Sequence, residues 1–191
     1  ALDAAVAARR DAVAAARDAV AEDQRRYDEM RAVAARLRAE AVRQTRASLG
    51  TAAQGSVRAV PGRLRAPVSG AVTSPYGMRV HPVTGVYKLH TGTDFAGPCS
   101  TPVDAALAGT VSEVGYDGAY GNRVVVIHGV VDGVWLATTY NHLSRTVVRP
   151  GDAVANGTTL GVIGSTGYST GCHLHLELLV NGEFTDPEPW L

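Results

Sequence analysis

The sequence has no net charge, no long apolar run and few cysteines, and each of these absences excludes or restricts a class of function. Its 18 basic and 18 acidic residues cancel to a formal net charge of zero, so nothing supports electrostatic binding of nucleic acid. No apolar run approaches the ~20 residues that a membrane-spanning helix needs. Cysteine is limited to Cys99 and Cys172. This pair allows either one disulfide bond in an oxidising compartment or two unrelated buried thiols.

Glycine and proline are missing from residues 1–49, although the whole chain contains 21 glycines and 9 prolines. The segment consists mostly of Ala, Arg, Asp and Glu, and all of these except Asp favour helix. Its apolar residues recur at alternating steps of four and three, which predicts a long amphipathic helix with a coiled-coil-like stripe. The stripe is rich in Ala and is interrupted by Arg9 and Asp23. It therefore needs a partner surface, which is a second copy, another helix or the following domain.

The hydrophobic pattern changes after this helix. Residues 50–66 are punctuated by glycine and proline, and we interpret them as a linker. Residues 67–191 contain short segments rich in β-branched residues, bounded by Gly, Asn or Asp, and Asn181-Gly182 is a strong hairpin signal. We predict a mainly β protein: a compact antiparallel β-sheet domain over 67–191, preceded by a long N-terminal α-helix.

The strand-like segment GCHLHLELLV carries two of the six histidines. Side chains alternate between the faces of a strand, so His173 and His175 share one face. Cys172, Leu174 and the following leucines take the other face and account for packing. On its own, a His-x-His pair indicates either a metal site or hydrogen-bonded surface groups.

A second candidate segment, KLHTGTDFAGPC, supplies His90 and Asp94. An imidazole nitrogen and a carboxylate oxygen are both good zinc ligands. Together with one of the paired histidines they would form the three-ligand set of a catalytic zinc site, which leaves one position for water. The other paired histidine and His142, in TTYNHLS near the predicted end of a strand, would remain to bind or transfer protons.

The two cysteines bear on the same region. A purely structural zinc site would need a fourth ligand, but strand parity directs Cys172 away from His173 and His175. Cys99 follows Asp94 by five residues. If the ligand loop and the ligand strand converge on a metal, Cys99 comes close to Cys172, and a disulfide bond there would tie the two segments together behind the site.

These segments resemble the lysostaphin-like, or LytM-type, zinc metallopeptidases that cut peptide cross-links in bacterial cell walls. The resemblance is carried by SPYGMRVHPVTG, HTGTDFAGP, YGNRVVVIHG, YNHLS, GVIGSTGYSTGCHLHLEL and DPEPWL, and it extends from Pro67 to the C-terminus. It implies one zinc ion bound by His90, Asp94 and His175. It also implies that His142 and His173 are catalytic histidines that do not bind the metal.

The resemblance further implies an endopeptidase that acts on peptidoglycan stem peptides or cross-bridges, at an extracellular or cell-envelope location. We expect a signal peptide to have been removed or to lie outside this sequence. Arg79 and His81 are predicted to bind substrate, although a structural salt bridge is the alternative for Arg79. Gly-rich loops carry four further residues that are predicted to shape the groove: Tyr116, Tyr120, Asn122 and Tyr168.

Two other functions stay open at this level. The chain could be a non-catalytic coiled-coil scaffold that activates another cell-wall hydrolase, or a metal-stabilised binding module. The N-terminal helix could recruit a cell-envelope or division protein, self-associate, or fold across the cleft and hold the enzyme latent.

Overall fold

A computed structural model describes residues 2–49, 61–82 and 85–191. Helix α1 spans Leu2–Leu49, as its glycine-free, Ala-rich sequence predicts. Val6, Val13 and Val20 are exposed along it, at 43%, 46% and 48% of their surface, and they follow the predicted seven-residue spacing. Among the described residues, no helix is both long enough and apolar enough to cross a membrane.

Short strands make up most of the remaining described chain. They are β1 (Val72–Ser74), β2 (Gly77–Val80), β3 (Tyr87–His90), β4 (Thr93–Ala96), β5 (Pro102–Asp104), β6 (Gly109–Asp117), β7 (Gly121–Val131), β8 (Val134–Thr146), β9 (Ala153–Val154), β10 (Thr159–Ile163), β11 (His173–Val180) and β12 (Glu183–Thr185). A 3-10 helix, Glu188–Trp190, closes the chain.

The strands form one large antiparallel sheet and one separate hairpin. The main path runs β1-β4-β11-β8-β7-β6-β9, with β12 paired to β11 and with β10 paired to both β5 and β8. Strands β2 and β3 form a two-stranded sheet of their own. The prediction of a mainly β, antiparallel fold with an N-terminal helix is confirmed. Helix α1 contacts β7, β8 and β12.

The two faces of strand β11 lie in different environments: one faces the hydrophobic core and the other faces the polar side of the sheet. Leu174, Leu176 and Leu178 point into the main hydrophobic core and are fully buried. The alternate residues, which include His173 and His175, project from the opposite face. The two-residue period of the strand therefore positions both imidazoles together, as the sequence predicts.

The predicted linker is too long at its C-terminal end. Residues 50–60 of it lie outside the described part of the chain, but Leu64 is only 2% exposed and belongs to the core. The Leu64 amide donates to the Trp190 carbonyl oxygen at 2.8 Å. The β domain therefore begins before residue 64 rather than at 67. A single leucine among Arg, Gly and Pro has no periodicity that would reveal its burial.

His128 in β7 takes part in a partly buried polar network away from the other histidines. Its Nδ1 lies 2.9 Å from the Ala108 carbonyl oxygen, and its Nε2 lies 2.9 Å from the Thr138 hydroxyl. Burial lowers the pKa of His128 to about 4, although the bond to Ala108 opposes the shift. The imidazole is therefore neutral at pH 7, with Nδ1–H donating and Nε2 accepting.

We predict that His128 makes the free energy of unfolding depend on pH. The unfolded chain binds a proton at His128 below its ordinary pKa of 6.5, whereas the folded chain does so only near 4, so stability falls as the pH drops between those values. Between about pH 7 and about pH 5 the free energy of unfolding of the wild type should fall by about 2 kcal/mol more than that of His128→Gln. Denaturant unfolding at both pH values measures this difference. Equal losses in the two proteins would contradict the prediction.

Candidate metal centre

Three predicted ligands meet at the base of a cleft with a volume of about 360 Å³. His90 ends β3, Asp94 lies in β4, and His175 lies opposite Asp94 in the antiparallel β4–β11 pair. Gly92 joins the first two and packs tightly against β11, where any side chain would clash with the Leu176 carbonyl oxygen. The glycine therefore allows the ligand loop to approach the ligand strand.

The donor atoms of these residues converge on one point. His90 Nε2 lies 3.2 Å from Asp94 Oδ1 and 3.0 Å from His175 Nδ1, and His175 Nδ1 lies 2.7 Å from the same Asp94 oxygen. Donor atoms that bind one zinc ion tetrahedrally at ~2.0–2.2 Å are roughly 3.3–3.5 Å apart. The set therefore fits a zinc ion with a small outward movement of the side chains.

The remaining nitrogen of each ligand histidine faces a protein oxygen, in a hydrogen bond for His90 and at ion-pair distance for His175. His90 Nδ1 donates to the Pro75 carbonyl oxygen at 2.8 Å, which leaves the Nε2 lone pair for a metal. His175 Nε2 lies 3.5 Å from Glu177 Oε1, so its proton is best held there and the lone pair is at Nδ1. In zinc proteins such outer contacts orient the ligands.

The electrostatics of this group favour a positive charge between Asp94 and His175. Burial alone would raise the pKa of the Asp94 carboxyl, but hydrogen bonds with His175 and His90 outweigh burial and hold that pKa well below its usual range. Burial would lower the pKa of His175, yet its contacts with Asp94 and Glu177 raise it to about 9. A divalent cation would take the place of the proton that these groups share.

His142 reaches the cleft because β8 is bulged. Asn122 pairs with Leu143 while Val124 pairs with Tyr140, so β8 carries one extra residue there. His142 has a φ of 61°, an unusual conformation in which histidine is enriched, and bulges of this kind redirect side chains. The sequence predicted a strand end, whereas His142 lies inside β8. Burial, together with the nearby His175 and His173, lowers the pKa of His142 to about 3.

His142 and His173 stand side by side at the mouth of the metal group, with ring centroids 4.7 Å apart. His142 Nδ1 donates to the Thr166 carbonyl oxygen, and His173 Nδ1 donates to the Gly171 carbonyl oxygen, each at 2.8 Å. His173 Nε2 lies 3.8 Å from Asp94 Oδ1. Both imidazoles therefore present Nε2 to the cleft.

A disulfide bond joins Cys99 and Cys172, whose Cα atoms are 5.3 Å apart. It connects the chain after β4 to the residue that precedes His173, as predicted from the convergence of the two segments. The bond closes a sequence separation of 73 residues. It therefore restrains both strands of the candidate metal site at the end of the cleft.

The predicted substrate-binding residues Arg79, His81 and Tyr168 all line the cleft, and Tyr120 does as well. The Arg79 guanidinium also lies 3.5 Å from Asp94 Oδ2, so the salt bridge considered from the sequence is present. Tyr116 is 68% exposed and does not belong to the described lining. No residue of α1 is among the described residues that line the cleft.

The sequence interpretation missed a buried polar layer beneath the ligands. Glu177 is 1% exposed, and its carboxylate accepts hydrogen bonds from the Thr91 and Thr139 hydroxyls, each at 2.6 Å. Asn141 is fully buried and donates to Thr139 and to the His175 carbonyl oxygen. The alternation of side chains along a strand could have predicted this position, because Glu177 lies on the same face of β11 as His173 and His175.

We predict that Glu177 raises the metal affinity of the site by orienting His175. Glu177→Gln keeps the shape but removes the charge that holds the His175 Nε2 proton, so zinc affinity should fall roughly 10- to 100-fold. Competition with a chromogenic chelator measures the affinity. Glu113→Gln, at an exposed position of β6, is the matched control and should bind zinc as the wild type does. An unchanged affinity in a folded Glu177→Gln protein would contradict the assignment.

Known proteins share this fold and this region of sequence. The pattern of Peptidase family M23 matches residues 88–187. Over 109 residues the chain is 44% identical to the peptidoglycan DD-endopeptidase ShyC of Vibrio cholerae, which covers 57% of this chain and 24% of ShyC. The chain spans about a quarter of the length of the curated relatives that it matches.

Two solved structures extend the comparison. A zinc containing peptidase from Vibrio cholerae has a TM-score of 0.59 and 36% identity, covering 69% of this chain and 40% of that one. The catalytic domain of the antimicrobial peptidase lysostaphin from Staphylococcus simulans has a TM-score of 0.56 and 35% identity, covering 63% and 91%. The family match includes all three residues of the metal group and extends over half of the sequence. The chain therefore belongs to peptidase family M23.

Proposed function

We propose that this chain is a zinc-dependent endopeptidase that hydrolyses peptide bonds of bacterial peptidoglycan, in stem peptides or cross-bridges. One observation carries the proposal: three donor atoms, of His90, Asp94 and His175, converge at the base of an open cleft, and two further imidazoles face them. A purely structural zinc site would use four protein ligands. The name of ShyC supports peptidoglycan as the substrate.

The ligand set fits a single zinc ion, which His90 Nε2, His175 Nδ1 and one carboxylate oxygen of Asp94 would hold. A zinc ion there would supply Lewis-acid chemistry, which acidifies water and polarises a carbonyl group. A fourth position directed toward the cleft would remain for water or substrate.

The protein supplies proton transfer and charge stabilisation. Since backbone carbonyl oxygens bind Nδ1–H of both His142 and His173, each ring can accept a proton at Nε2 and donate it again. One imidazole takes the proton of the attacking water at Nε2. The other, when it is protonated at both ring nitrogens, donates its Nε2–H to the oxyanion of the tetrahedral intermediate. Their ring separation of 4.7 Å lets both act on the same carbonyl group.

The substrate indicates where the protein acts. Peptidoglycan lies outside the cytoplasmic membrane, so we propose a cell-envelope or extracellular location. The Cys99–Cys172 disulfide bond supports this location, because such bonds persist in oxidising compartments.

The role of α1 stays a prediction of the sequence. The helix contacts β7, β8 and β12 rather than the described lining of the cleft. This arrangement supports a role in self-association or recruitment of an envelope protein more than direct blockage of the site.

Metal binding and catalysis should separate in single variants. His90→Ala should lose stoichiometric zinc together with hydrolysis. His173→Ala should retain zinc and lose roughly 10²–10³-fold in rate, because it removes only a proton-transfer or donor group. Zinc content and the release of new amino groups from purified peptidoglycan measure the two properties.

His128→Gln, which lies away from the cleft, is the matched control and should keep both properties at neutral pH. Loss of zinc from His173→Ala would contradict the division of roles. If the wild type binds zinc and releases no amino groups, the chain is a scaffold or activator and the proposed function is wrong.

A further inference from the structure

The backbone of β8 at His142 is held by groups that lie outside the strand ladder. The φ of His142 is 61°, and its amide donates to the Tyr120 carbonyl oxygen at 2.7 Å. Tyr120 belongs to the turn between β6 and β7 and not to a paired strand. The direction of the His142 side chain therefore depends on how this irregular part of β8 is fastened to its surroundings.

Two side chains fasten the two residues that follow His142. The Asn122 amide donates to the carbonyl oxygens of Leu143 and Ser144, at 2.9 and 3.2 Å. The Thr166 hydroxyl donates to the same Leu143 oxygen at 2.8 Å and accepts the Asn122 backbone N–H at 3.0 Å. The Leu143 oxygen thus uses both of its lone pairs, and the hydroxyl acts as donor and acceptor at once.

Thr166 also holds the ring of His142. Its backbone carbonyl oxygen accepts the Nδ1–H of His142 at 2.8 Å, which leaves Nε2 directed toward the cleft. One residue therefore contacts both the backbone of β8, through its hydroxyl, and the side chain that β8 presents, through its carbonyl group. Any shift of Thr166 relative to β8 moves the imidazole.

Close packing keeps Thr166 against the turn that precedes β7. Gly121 has a φ of 64°, and a side chain there would clash with the Thr166 hydroxyl. Gly167 has a φ of 73°, and a side chain there would clash with the Gly121 amide. The Tyr168 amide donates to the Ala119 carbonyl oxygen at 2.8 Å. The two loops approach this closely because both glycine positions lack a side chain.

We propose that Asn122 and Thr166 are positioning residues, which hold His142 where its Nε2 serves the reacting groups. The inference rests on the proposed function and adds two residues to the machinery of the same site. Asn122 was predicted to shape the groove, but neither it nor Thr166 is among the described residues that line the cleft. Both therefore act through His142 rather than on substrate or metal.

Thr166→Val removes the hydroxyl with little change of shape. On the zinc-loaded full chain it should lower kcat roughly 10- to 100-fold, because a catalytic group displaced by about 1 Å has an effect of that size. KM and zinc content should stay unchanged, since His142 acts in the transition state. Asn122→Asp replaces the amide donor by an oxygen and should have the same effect. Release of amino groups from a purified cross-linked muropeptide measures kcat and KM.

Two comparisons separate positioning from a general loss of stability. Thr166→Ser keeps the hydroxyl and should retain most of the rate. In a His142→Ala background, Thr166→Val should cause no further loss, because two changes that act through one group are not additive. A loss of equal size in both backgrounds would overturn the proposal, and so would an unchanged kcat in a folded Thr166→Val protein.

Thr159→Val is the matched control, because it removes an exposed hydroxyl of β10 that donates to Asp104 at 2.9 Å. It should behave as the wild type does.

If the zinc-loaded wild type hydrolyses no muropeptide, the proposed function fails, and NMR decides the positioning separately. Long-range proton–nitrogen spectra should show His142 as a single Nδ1–H tautomer in the wild type, because the Thr166 carbonyl oxygen accepts that proton. The Thr166→Val protein should show a mixture of tautomers. The same single tautomer in both proteins would overturn the role of Thr166.

Discussion

Asp94 and His175 face each other across two antiparallel strands, and the rest of the site depends on this register. Their donor atoms lie 2.7 Å apart because β4 and β11 pair with these residues opposite each other. A slip of one residue would turn His175 toward the core and would bring Leu174 or Leu176 to the metal group. The fully buried leucines on the other face of β11 oppose such a slip. Hydrophobic packing thus positions the polar site, although it makes no contact with substrate.

The layer beneath the ligands explains how a buried carboxylate is accommodated. Glu177 is almost fully buried, which is unfavourable for a charge unless it is paired and hydrogen-bonded. Two threonine hydroxyls donate hydrogen bonds to it, and the His175 ring lies at ion-pair distance. The same contacts restrain the ring of His175, so the groups that stabilise the buried charge also orient a ligand.

Much of this arrangement follows from short-range patterns in the sequence. The two-residue period of HLHLEL predicts the shared face of His173 and His175, and the glycine-free segment predicts α1. Other features depend on tertiary structure. The bulge that turns His142 into the cleft arises from pairing with β7, and the burial of Leu64 arises from contact with the C-terminal residues. The chemistry of zinc ligands suggested that His90 and Asp94 join one of the paired histidines, more than 80 residues away in sequence. The choice of His175 rather than His173 came from the family resemblance.

The central claim is that these three side chains bind one zinc ion and leave one coordination position to solvent. X-ray absorption spectroscopy at the zinc edge, on the full chain loaded with one equivalent of zinc, tests it most directly. The account predicts four light-atom ligands at ~2.0–2.2 Å, of which two are imidazoles. His175→Ala should lose one imidazole from that spectrum, whereas His173→Ala should leave the imidazole count unchanged. Three imidazoles in the wild type, or a sulfur ligand at ~2.3 Å, would contradict the account.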